Sequence, residues 1–159
     1  MSTVRTEPRP AWQGAAVLTG GFVVLLWVME VLDTLAGHRL DAYGITPRTE
    51  DGLVGIALAP VLHFGFDHLV ANTVPVLVLG FLTLATGIAR GLLATAVIWV
   101  VGGLGVWLFA GDRSIHAGAS VLVFGWIVYL VVRGLLNRST TEILIGVAVF
   151  LLYRDRKST

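Results

Sequence analysis

His63, His68 and Asn72 stand five and four residues apart in the stretch Pro60 to Pro75, whose remaining residues are almost all apolar. Four residues is about one helical turn, so His68 and Asn72 stack on one face and aim hydrogen-bonding groups into one interior cavity. In hydrocarbon such groups are costly unless they find partners or line a wet cavity, which makes them functional candidates. Each taken singly is equally well explained as interhelical hydrogen bonding. Further along, Ser120 follows Gly118 and Ala119 at the point where a loop enters a helix. Small residues there permit close backbone approach, and the free amides of a helix start face any oxyanion that develops beside the serine. That arrangement suits acyl transfer, although Gly-Ala-Ser alone is also ordinary packing surface in a membrane helix.

The elements that must position these groups are apolar. The chain has 159 residues, 56% hydrophobic and 13% charged, against about 25% charged in soluble domains. Its mean hydropathy is +0.85. This composition places it in a lipid bilayer. A net charge of +1, with basic residues confined to segment ends, argues against a nucleic-acid partner. The absence of cysteine excludes disulfides and thiol chemistry. The four histidines lack H-x-x-x-H or H-E-x-x-H spacing and carboxylates look sparse beside them, so neither metal nor cofactor is expected.

Residues 1–13 read as a polar cytoplasmic tail with no cleavable signal. Five hydrophobic segments follow. The first, about Gly14 to Ala36, carries Glu30 and Asp33 in its last turns, as interface residues or partners for a neighbouring helix. Residues 37–59 predict a long loop able to fold back into the membrane surface. The second segment, Leu62 to Ile88, holds His63, His68 and Asn72, with Pro75 as a kink and Arg90 closing it. The third, Gly91 to Ala110, is uncharged, and its Gly102, Gly103 and Gly105 allow close helix approach. The fourth runs from about Ala117 to Val132. The fifth, Ile143 to Tyr153 with Thr141 as N-cap, has eleven residues, too few to span comfortably.

The distribution of Lys and Arg favours a cytoplasmic N-terminus by five residues to three, with Arg5, Arg9, Arg90, Arg133 and Arg138 set against Arg39, Arg48 and Arg113. Five spans would put the basic tail, residues 154–159, on the opposite side. With the short fifth segment, that leads to the expectation that a natural C-terminal part is missing.

The residues His63, His68 and Asn72, combined with Gly118-Ala119-Ser120 and Phe124-Gly125, resemble the rhomboid intramembrane serine proteases. The wording around them looks like the bacterial branch: Gly44-Ile45-x-Pro47-Arg48, Gly52-Leu53-x-Gly55-Ile56, Ala59-Pro60-x-Leu62-His63 and Ala71-Asn72-Thr73-x-Pro75. The resemblance covers residues 14–153. It implies an all-α, polytopic transmembrane bundle in the bacterial plasma membrane and a serine endopeptidase acting on transmembrane protein substrates without metal or cofactor. By that resemblance Ser120 is the nucleophile, His68 and Asn72 are oxyanion donors beside the Ser120 amide, and His63 and Gly118 give structural support. His116 reads as a polar loop residue.

Two departures stand out. Val121 occupies a position where the family has glycine, and its β-branch is expected to push on a partner helix. The family's general base is a histidine of a sixth helix, yet none of the 39 residues after Ser120 is histidine. Impaired hydrolysis is therefore expected, since a serine without its base is a weak nucleophile. The alternative is a non-catalytic rhomboid-like protein that binds transmembrane clients. A third reading makes His68 and Asn72 interhelical glue in a small scaffold. Substrate identity and oligomeric state are not legible in these residues.

Overall fold

A computed structural model describes residues 10–156; residues 1–9 of the expected 1–13 tail and the last three residues lie outside the described residues, and residues 11–13 belong to the first helix instead of the tail. Six helices account for most of what is described: α1 (Ala11–Leu35), α2 (Glu50–Leu58), α3 (Phe66–Ala85), α4 (Ile88–Phe109), α5 (Ser120–Leu136) and α6 (Thr140–Arg156), with 3-10 turns at Leu40–Tyr43 and Ala59–Val61. The fold is all-α, and the extended pairing among the described residues is a single bridge between Ile45 and His116. Three helices, α1, α3 and α4, are long and apolar enough to cross a membrane, and α5 is a shorter apolar helix.

Helix α3 is the centre of the bundle. It buries Leu69, Asn72, Val76, Leu79, Gly80, Thr83 and Leu84, a three-and-four spacing that marks one face of a helix. Against it α1 sets Ala15, Thr19, Val23, Leu26, Glu30 and Asp33, and α5 sets Leu122, Val123, Trp126, Ile127 and Leu130. Gly80 makes the three-way contact possible: a Cβ there would lie 3.2 Å from Thr19 and 3.3 Å from Trp126. Each fully buried Leu in this core contributes about 2 kcal/mol when drawn from water. In a bilayer the gain comes instead from close packing between helices. Helix α4 packs on α5, α2 and α3 and buries only Gly91 and Gly103, leaving much of its surface exposed or half-buried.

Several boundaries differ from the sequence reading. The region expected as a plain loop contains α2, capped by Thr49, whose hydroxyl accepts the Gly52 amide at 3.0 Å. Helix α3 begins at Phe66, because Gly65 takes a φ of 92° and breaks the helical run; His63 therefore precedes the helix. Pro75 sits inside α3 without ending it. Arg90 belongs to the first turn of α4 and not to the end of α3, since the turn falls at Thr86-Gly87. Helix α6 starts at Thr140, which moves the N-cap position from Thr141 to Ser139, and extends over 17 residues instead of eleven.

Candidate active site

Ser120 is the first residue of α5, half-buried, at the end of the loop that follows α4. Its amide, as the first of a helix, has no acceptor within that helix. Four hydrogen bonds fix the loop immediately before it. The Ile45 and His116 backbones exchange amides and carbonyls at 2.8 and 3.0 Å, the Gly118 amide donates to Ala59 at 2.8 Å, and the Ala119 amide donates to His63 Nε2 at 3.3 Å. Gly118 is required twice over. Its φ is 118°, and a Cβ there would lie 2.6 Å from His68 Cε1 and 2.9 Å from Nε2. The His68 imidazole therefore rests against the backbone two residues before Ser120.

His68 is framed by aromatic rings, stacked on Phe64 at 6.4 Å and edge-on to His63 at 5.2 Å. One turn later Asn72 is wholly buried, and its Nδ2 donates to the His68 carbonyl at 3.2 Å. His63 is 2% exposed. Burial, with a smaller push from His68 and against the pull of the Val61 carbonyl, lowers its pKa from 6.5 to about 4. It is therefore neutral at ordinary pH and able to accept the Ala119 amide. The structure thus brings His63, His68, Gly118 and Ser120 around one loop, with Asn72 directly beneath His68. His116 turns to Ser114, whose Oγ lies 2.8 Å from its Nε2.

The framework holding that loop comes from the α1–α3 connection. Arg48, at a left-handed φ of 57°, donates to the Leu108 and Ala110 carbonyls at 2.9 Å each and pairs with Asp112. It thereby caps the end of α4. Trp107 and Trp99 return the contact by donating to the Thr49 and Ile56 carbonyls at 2.9 and 2.8 Å. The segment is compact because Gly44, Gly52 and Gly55 lack side chains: a Cβ on Gly52 would meet the Thr46 carbonyl, one on Gly55 the Gly44 carbonyl, and one on Gly44 the His116 oxygen at 2.8 Å. Sequence reasoning noticed these glycines only as part of a wording and missed the seat they form.

Val121 points to α4, into the notch left by Gly102, and Ile98 of α4 fills the matching notch at Gly125. On the α4 side the β-branched side chain is accommodated by a glycine on the neighbour, and the α4–α5 crossing is closely packed. Gly103 likewise admits Ile56, whereas Gly105 has open space around it.

Long apolar helices packed around an apolar core with a few buried polar side chains define an integral membrane protein of the helical-bundle class. The chain belongs to the rhomboid family, because the Rhomboid domain description matches its residues 50–154. Uncharacterized proteins of Mycobacterium bovis and Mycobacterium tuberculosis are each 47% identical to it over 158 residues, covering 95% of this chain and 65% of theirs. One of Mycobacterium leprae is 42% identical over 153 residues, covering 93% of this chain and 61% of its own. The chain therefore spans less than two thirds of the length of these relatives. No solved structure matches it significantly.

Proposed function

We propose that residues 44–136 form the nucleophile and oxyanion side of a rhomboid-type serine endopeptidase that hydrolyses peptide bonds of transmembrane proteins in or near the bilayer. The observation that carries this reading is the seating of His68 against Gly118, which sets an imidazole of α3 beside the start of α5. Ser120 Oγ bonds to the peptide carbonyl carbon as its hydroxyl proton passes to water, and the negative charge on the former carbonyl oxygen is met by the Ser120 amide, His68 and Asn72. Collapse breaks the C–N bond to release the amine, protonated from water, leaving an acyl-serine that water hydrolyses. The Ala119 amide is engaged by His63 and takes no part; His63 and Gly118 hold the loop in shape. Residues 121–159 contain no histidine, and His116 is turned to Ser114. The 159-residue chain on its own is thus expected to react slowly, with the oxyanion groups supplying what activity it has. The protein sits in the bacterial plasma membrane with its N-terminus in the cytoplasm and the serine opening outward.

Labelling with a fluorophosphonate probe in reconstituted membranes tests this. Slow labelling that vanishes in Ser120→Ala and weakens in His68→Ala is the expected result. Equal labelling of Ser120→Ala would overturn the assignment. In a second reading the same groove binds transmembrane clients without cutting them. Capture of a transmembrane peptide that persists in Ser120→Ala, with no labelling of the wild type, would establish it.

A further inference from the structure

The far end of α1 gathers ionisable side chains that the serine chemistry does not use. Asp33, 2% exposed, accepts the Leu40 amide at 2.7 Å through Oδ1 and faces His38 Nδ1 at 3.0 Å through Oδ2. Asp41 Oδ2 approaches the same nitrogen at 4.0 Å, and Asp41 Oδ1 is buried without a partner. Independently of this group, Glu30, on the same face of α1 one turn earlier, is 1% exposed and has no hydrogen-bond partner on either carboxylate oxygen. The Gly65 amide approaches Glu30 without reaching hydrogen-bond geometry. Donor atoms of Glu30, Asp33 and His38 all lie within 4.8 Å of one another. Among the described residues no Lys or Arg pairs with these acids.

Buried carboxylates of one sign repel each other, and unpaired oxygens forfeit their hydration, so such a cluster calls for a compensating charge. The geometry points to a divalent-cation site formed by Glu30, Asp33 and His38, with Asp41 as a further donor, and its donor set suits zinc. An imidazole nitrogen favours zinc over calcium or magnesium. Two ligands each about 2.1 Å from a tetrahedral zinc stand roughly 3.4 Å apart, and Asp33 Oδ2 and His38 Nδ1 are 3.0 Å apart already. His38 reaches this position through a left-handed φ of 59°, which folds the chain back over the end of α1. On binding, the cation displaces any protons held on the imidazole nitrogen and the carboxylates. It would tie α1 to the 38–41 turn that leads into the Ile45 bridge. The spacing of histidines gave no hint of this, because three of the four donors are acids that meet only where a helix ends and a turn reverses.

The test is a zinc titration of untagged, chelator-stripped protein in detergent, followed by calorimetry and by thermal unfolding. We expect one zinc per chain and a rise in Tm. Glu30→Gln and His38→Gln should each weaken binding by about tenfold or more; His38 is half-exposed, so its variant is expected to fold. Gln mimics a protonated Glu, so unchanged zinc affinity in Glu30→Gln would overturn the site, as would unchanged affinity in His38→Gln. Absence of stoichiometric binding to the wild type, or a preference for calcium, would also overturn it. None of these readouts depends on Ser120.

Discussion

The two ends of the bundle are built differently. At the end bearing Ser120, loop meets loop through the Ile45–His116 bridge, the Gly118 and Ala119 amides, Arg48 and two tryptophan donors. At the opposite end the turns close mostly on themselves, with the Gly87 amide on Leu84 and the Ser139 amide on Gly134, and a 3.3 Å contact between Thr86 and Tyr129 hydroxyls crosses between elements. Polar stitching fixes a geometry more tightly than apolar packing, because hydrogen bonds are directional and leave an unsatisfied group when the register slips. The difference therefore locates where this protein needs position as well as stability.

The comparison can be broken most forcefully at Gly118. Gly118→Ala sets a Cβ against His68 at a φ that side chains avoid, and a loss of about 3 kcal/mol or more is expected. Thermal unfolding in detergent reads the loss, and Ser120 labelling should fall with it; a variant of wild-type stability would show the stitching to be loose. Next comes acid. His63 has a folded pKa of about 4, below its ordinary 6.5, so the unfolded chain binds more protons between those values. Stability should be full above pH 6.5 and fall as pH drops toward 4, by roughly 3 kcal/mol at most. His63→Gln should flatten the profile in that window, measured as Tm against pH. Arg48→Ala removes two carbonyl caps and an exposed ion pair, for an expected loss of about 1–2 kcal/mol by the same unfolding assay. At the opposite end, Tyr129→Phe should cost about 0.5 kcal/mol or less and leave labelling unchanged. A larger effect there than at Arg48 would reverse the comparison.

Much of this was legible in the residues. The one-turn spacing of His68 and Asn72 requires a helix to give it meaning, and α3 supplies that helix; Gly118 announced the turn into α5. The missed features share a cause. Helix α2 is short and is anchored at Thr49 and Ile56 by the Trp107 and Trp99 indoles, so its placement depends on residues remote in sequence. His63 lies outside α3 because of the left-handed Gly65. Val121 looked crowded only because its neighbour, Gly102, is a tertiary partner. Glu30, Asp33, His38 and Asp41 converge through one reversal of the chain that no periodicity encodes.

The Ile45–His116 bridge joins segments that are made before and after α3 and α4. During synthesis the loop ahead of Ser120 can acquire its partners only once both intervening helices have been inserted and turned the correct way. A chain inserted with one of them missing or inverted would hold its serine on an unfastened loop. The bridge thus makes the ordering of the serine loop conditional on a correctly assembled membrane topology, a form of quality control that needs no additional factor.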